Sequence, residues 1–218
     1  MFIQKYKQAL AVILKKPIML WGLSLLSAIL GGIASIVTSP IFALSFCATT
    51  LLNLGMIKVY LDGLKGKQVN SNQLFAAFNK NAVRAVGGMA WQALWIIIWC
   101  LVPIVGPIIA IVKSYSYAFV PYILVTKPEV TATDALKLSM QMTKGKKGQM
   151  FLADFCLGLG LGIVALVLGL LALIPFIGIL FGLVLVIFFI LVALFIGIFQ
   201  GLYKAAFYDD SVEAPAAE

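Results

Sequence analysis

A chain of 218 residues that is 63% hydrophobic and only 11% charged lies outside the range of soluble domains, in which roughly a quarter of residues are charged. The net charge of +8 does not point to nucleic acid, because the lysines sit in short connections between apolar runs, where topology bias accounts for them. There is no histidine, and Cys47, Cys100 and Cys156 each stand alone inside an apolar run; this excludes the usual zinc and haem ligand sets, and no metal or cofactor is expected.

Residues 2–15 place Phe2, Tyr6, Ala9, Leu10 and Ile13 on one helical face and the lysines elsewhere, the pattern of a short helix lying on a membrane surface. A basic start before an apolar run also opens a signal peptide. The run at 17–37 is longer than such a peptide's core and further spans follow, so no cleavage is expected. Span one covers about 18–37, with Ser24, Ala28 and Gly32 at four-residue spacing, as close helix contacts require. Thr38, Ser39 and Pro40 make a minimal turn into span two, about 41–61, which ends at Lys58 and Asp62, an i,i+4 pair.

After a polar connection, Ser71 is placed to cap a second surface helix with Leu74, Phe75, Phe78 and Ala82 on one face. Span three, about 86–102, carries Trp91, Trp95 and Trp99 in one row, read as a lipid-facing or packing ridge. Pro103 to Pro107 form an uncharged hairpin. Span four then runs over about 107–125, kinked near Pro121. Thr131 or Thr133 opens a third amphipathic helix. Spans five and six, about 151–173 and 176–203, flank a bend at Pro175, and GxxxG spacings at Gly158/Gly162, Gly178/Gly182 and Gly197/Gly201 permit backbone approach. The stretch 209–218 reads as an acidic, alanine-rich, disordered tail.

The expected fold is therefore all-α: a six-span membrane bundle of three hairpins, each preceded by a short amphipathic helix, in one domain over 1–208. VPIVGPIIAIV (102–112) and IPFIGILFGLV (174–184) share a Pro-x-x-Gly bend, the mark of an internal repeat or of a bend that hydrophobic hairpins reach independently. Every connection on one side carries lysine or arginine, Lys16 and Lys80 included, while the opposite turns carry none. The positive-inside rule then places both termini and the surface helices in the cytoplasm, against anionic lipid.

Lys113 is the deepest charge, roughly 9 Å from the outer face at helical rise, with Ser114 and Tyr117 near it. Asp154 sits at the start of span five. One reading makes Lys113, Ser114, Tyr117 and Asp154 the lining of a polar cavity for a lipid headgroup, peptide or ion, since charges inside a membrane mark such sites. The other has Lys113 snorkelling outward or donating to open hairpin carbonyls. A direct Lys113–Asp154 pair is not expected, because their depths differ by about 12 Å. Tyr115, Phe119 and Tyr122 read as core.

The runs LNLGMIKVYLDGLKGKQVNSNQLFAAF, LVPIVGPIIAIVKSYSYAFVPYILVTKP and ATDALKLSMQMTKGKKGQMFLADF resemble the DUF975 family of bacterial integral membrane proteins. The hairpin PIVGPIIAIVK departs from that family's shorter IPGIIK pattern. The family is similar to the membrane domain attached to some glycerophosphodiester phosphodiesterases. The resemblance implies a six-helix bacterial inner-membrane protein without assigned activity, and it transfers no catalytic residue. Together these readings favour a non-catalytic bundle that binds lipid, a membrane-protein partner or a membrane-active peptide. The alternative is a small transporter or permease component using Lys113 and Asp154.

Overall fold

The computed structural model describes residues 2–15, 17–37, 42–79, 81–175 and 177–213. Their elements are α1 (Phe2–Lys15), α2 (Pro17–Val37), α3 (Phe42–Leu64), a single 3-10 turn (Ser71–Gln73), α4 (Ala82–Cys100), α5 (Gly106–Ser116), α6 (Val120–Thr126), α7 (Ala132–Met142), α8 (Lys147–Leu171) and α9 (Gly178–Glu213). Six segments are long and apolar enough to cross a membrane, α5 and α6 together supplying the fourth. The chain is an all-α, multi-pass membrane bundle. The turn expected at Thr38 to Pro40, and the residues Lys16 and Lys80, lie outside the described residues.

The two Pro-x-x-Gly bends close in the same way. In the first, the Val105 amide donates to the Pro103 carbonyl at 2.7 Å and the Gly106 amide to Val102 at 3.0 Å. In the second, Ile177 donates to Pro175 at 2.8 Å and Gly178 to Ile174 at 2.7 Å. Glycine is required at both ends of this pairing. A Cβ on Gly106 would stand 2.4 Å from the Trp99 carbonyl oxygen, and one on Gly178 would stand 2.2 Å from that of Ala172.

Span four breaks where Pro121 withholds an amide hydrogen. The Val120 amide turns to Tyr117 at 3.0 Å, which leaves the Ser116 carbonyl and the Phe119 amide without helical partners in a region where no water replaces them. Ser139 on α7 supplies both: its hydroxyl donates to the Ser116 carbonyl at 2.8 Å and accepts from the Phe119 amide at 3.2 Å. Thr143 adds a second donor to Ser116 at 3.3 Å. The amphipathic α7 is thus a plug seated on the break. Its start agrees with the sequence reading, as the Thr131 hydroxyl accepts from the Asp134 amide at 3.2 Å.

The tightly packed core lies at the lysine-bearing end. Leu202, Tyr203 and Phe207 of α9 are fully buried there, with Ala9, Val59, Phe119, Ile123 and Met150. The most apolar windows of α8 and α9, by contrast, bury almost nothing within the chain and are left to lipid. With 36 residues, α9 extends about 54 Å at 1.5 Å per residue, well beyond a hydrocarbon layer of about 30 Å. Its final turns therefore belong to the packed core. Arg84 closes another open end, donating to the carbonyl of Leu124 at 2.7 Å and to those of Lys127 and Val130, where a cation also meets the negative end of α6.

Five expectations give way here. Lys5, assigned to the solvent side of α1, is 4% exposed and ion-paired with Asp210. The supposed tail is helical through Glu213, and Asp209 pairs with Lys65 at 3.3 Å; residues 214–218 lie outside the described residues. Asp62 turns from Lys58 to Lys67 at 3.9 Å and to the Gln73 amide nitrogen at 3.0 Å. The second surface helix is one 3-10 turn followed by irregular turns, because asparagine and glutamine side chains capture local backbone groups: the Asn79 side chain donates to the Ala76 carbonyl and accepts from the Asn81 amide, and Gln73 donates to the Gln68 carbonyl. The glycine pairs do not join helix backbones: no atom stands within 4 Å of a Cβ placed on Gly158, Gly162, Gly182 or Gly197. Gly201 serves a side chain instead, since the Tyr60 ring would lie 2.2 Å from its Cβ.

Candidate functional site

The tryptophans of α4 recur every four residues and so form one stripe. Trp91 and Trp95 meet edge to face at 5.9 Å. Opposite them α5 delivers Lys113, whose ammonium lies 5.5 Å from the Trp99 ring centroid, within cation–π range. α7 completes the enclosure: its Ser139 face turns to the break in span four, while Thr133, Leu136, Lys137 and Met140 face the stripe. The result is a cavity of about 520 Å³, lined by the three tryptophans, Lys113, Tyr117 and that α7 face. Among the described residues its lining has two cations and no carboxylate. Asp134, just outside, pairs with Lys137 at 3.4 Å, and the Thr131 hydroxyl, followed by Lys137, holds its carboxyl below the usual range.

Of the four residues singled out from sequence, two meet in this cavity. Lys113 and Tyr117 line it. Ser114 does not; its hydroxyl donates to the Ile111 carbonyl of its own helix at 2.7 Å. Asp154 belongs to a separate cluster, where it pairs with Lys204 at 3.4 Å and accepts from Tyr115 at 3.0 Å and from Tyr203. Tyr6 of α1 donates to the adjoining Ala153 carbonyl and stacks edge to face on Tyr203 at 5.6 Å. Burial, then the Asp154 carboxylate, raises the Tyr6 phenol to about 12.

These contacts separate the two membrane charges by chemistry as well as by depth. Asp154 is ion-paired and hydrogen-bonded, and it anchors α5 and α9 on α8. Tyr115, read as core, is one of its donors. Lys113 has an aromatic ring but no acidic partner among the described residues. Lys137, Thr133 and Met140 were missed from sequence, although their spacing along an amphipathic helix was visible. Lys204 was legible in principle: it and Asp154 bound the charge-free run 155–203, and a hairpin brings the ends of such a run together.

Among the described residues no group of three or more Cys, Asp or Glu is placed to hold a metal. Comparison with protein-family models, with curated proteins and with solved structures gave no match.

Proposed function

We propose that the protein is a non-catalytic membrane bundle that holds an anionic lipid, with the headgroup between Lys113 and Lys137 and the acyl chains along the α4 tryptophans. The observation that carries this reading is Lys113 itself. It is a cation about 10 Å along α5, set on Trp99 at 5.5 Å in a cavity whose described lining supplies a second lysine and no counter-charge. A bound phosphate would provide that charge through charge-assisted hydrogen bonds. The indole stripe suits the boundary between headgroups and chains. The resemblance to DUF975 proteins supports the non-catalytic reading, since it transfers no catalytic residue. The same proposal places the chain in a bacterial inner membrane with its basic end in the cytoplasm. The transporter alternative needed Lys113 and Asp154 in one cavity, and Asp154 is engaged elsewhere.

The test is native mass spectrometry of the detergent-purified protein with phosphatidylglycerol and with phosphatidylcholine. Wild type should retain the anionic lipid preferentially. Lys113→Met and Lys137→Gln should each weaken retention about ten-fold, the loss of one charge-assisted contact. Equal retention of both lipids, or by both variants, would overturn the proposal.

A further inference from the structure

A second cavity, of about 420 Å³, lies between α2, α3 and α9 and shares no lining residue with the first. Its polar wall is Ser24 and Ser27 from α2, Thr49 and Asn53 from α3, and the phenols of Tyr60 and Tyr122. Three of these six groups have a hydrogen-bond partner. Thr49 donates to the Ser45 carbonyl at 2.8 Å, Tyr122 to Gly201 at 3.0 Å and Tyr60 to Gly197 at 3.5 Å. Asn53 is different. It is the middle residue of the 23-residue α3, about 16 Å from either end, and its amide is exposed into the cavity. No described residue hydrogen-bonds that side chain.

An amide at mid-bilayer with nothing to bond is strongly unfavourable, so the occupant must offer both a donor and an acceptor. Among the described residues no lysine, arginine, aspartate or glutamate lines the cavity. An ionic headgroup would enter without a counter-charge, which excludes the phospholipid assigned to the first site. Leu52, Met56 and Ile57 form the remaining wall, so the occupant also has an apolar body.

We infer that this cavity binds an uncharged membrane lipid bearing a free hydroxyl, of the diacylglycerol class. The hydroxyl is seated at Asn53, whose amide nitrogen donates to its oxygen and whose amide oxygen accepts a hydrogen bond from its O–H, with Ser24 and Ser27 flanking it. This site is independent of Lys113 and Lys137.

The probes are 1,2-diacylglycerol and triacylglycerol, which share chains and differ in the hydroxyl, offered to the detergent-purified full chain and read by native mass spectrometry. Wild type should retain diacylglycerol about ten-fold better, the factor that one well-made hydrogen bond supplies. Asn53→Leu should reduce that preference to parity without lowering thermal stability, because it removes an unpartnered amide. Ala28→Leu, on the wall of the same cavity, fills the space while keeping every polar group and should exclude both probes. Lys113→Met should leave diacylglycerol retention unchanged. Parity in the wild type, no retention of either probe (a cavity holding water alone), or undiminished preference in Asn53→Leu or Ala28→Leu would overturn the inference.

Discussion

Replacing Ser139 by alanine removes one oxygen and opens two backbone groups. The Phe119 amide, held at 3.2 Å, loses its partner, and the Ser116 carbonyl loses a donor at 2.8 Å but keeps Thr143 at 3.3 Å. Ser139 and Phe119 are fully buried and Ser116 is 1% exposed, so solvent does not take over. An orphaned buried amide costs about 1–3 kcal/mol and the lost bond to Ser116 about 1 kcal/mol, giving a destabilisation of about 2–4 kcal/mol. Thr143→Val leaves the stronger donor in place and should cost about 1 kcal/mol. Both are measured by reversible unfolding in mixed micelles with tryptophan fluorescence, alongside hydrogen exchange at the Phe119 amide. Ordinary interhelical side-chain bonds in membranes average only about 0.6 kcal/mol, because the unfolded chain finds other partners. A Ser139→Ala cost at that level, or one no larger than that of Thr143→Val, would refute the claim that α7 exists to satisfy the break.

Gly201→Ala should destabilise by about 1–3 kcal/mol through overpacking, since Tyr60 ring carbon would stand 2.2 Å from the new Cβ. Gly158→Ala, with open space around it, should be neutral or stabilising in the same titration. Asp210→Asn leaves Lys5 buried without its charge partner. It should cost about 2 kcal/mol, less than a fully buried pair because Asp210 is 36% exposed, and should raise proteolysis of α1 more than Lys5→Met does. The raised Tyr6 value predicts an alkaline transition. Neutral Tyr6 contributes fully below its ordinary value of 10.0, and that contribution is lost as pH rises through about 12. Hydrogen exchange of α1 should increase over that window, and Tyr6→Phe should remove the step.

The six crossings and the break near Pro121 were legible because hydropathy and proline act locally. What the break requires was not, for Ser139 lies on another element and nothing in its neighbours marks a hydroxyl aimed at a distant backbone. Lys5 shows the same limit. A helical wheel sends a lysine outward unless its partner is known, and that partner, Asp210, sat in a stretch whose composition resembled a tail. Asn53 escaped notice because one amide barely alters the mean hydropathy of a 23-residue helix. The glycine spacings misled in the opposite direction: GxxxG permits close approach without requiring it, and Gly158 and Gly162 meet no neighbour in this chain. The candidate site was half visible, since Lys113 and Tyr117 share a helical face, whereas Lys137 enters only through the docking of α7.

The distribution of burial links these observations. At the basic end the chain packs like a soluble core, with Tyr203 and Phe207 fully enclosed and with ion pairs from Lys5 to Asp210 and from Lys65 to Asp209 joining α1 and the loop after α3 to α9. Toward the uncharged turns the helices bury little of their surface within the chain. Lipid is as apolar as leucine, so no hydrophobic force draws those halves together. Stability must therefore come mainly from the basic end. Both cavities follow from that division. Each has walls fastened at the packed end, by Ser139 for the lysine cavity and by Tyr60 and Tyr122 for the Asn53 cavity. Weakening the basic end, as in Asp210→Asn, should accordingly loosen retention at both sites together, whereas Lys113→Met and Asn53→Leu should each affect only one.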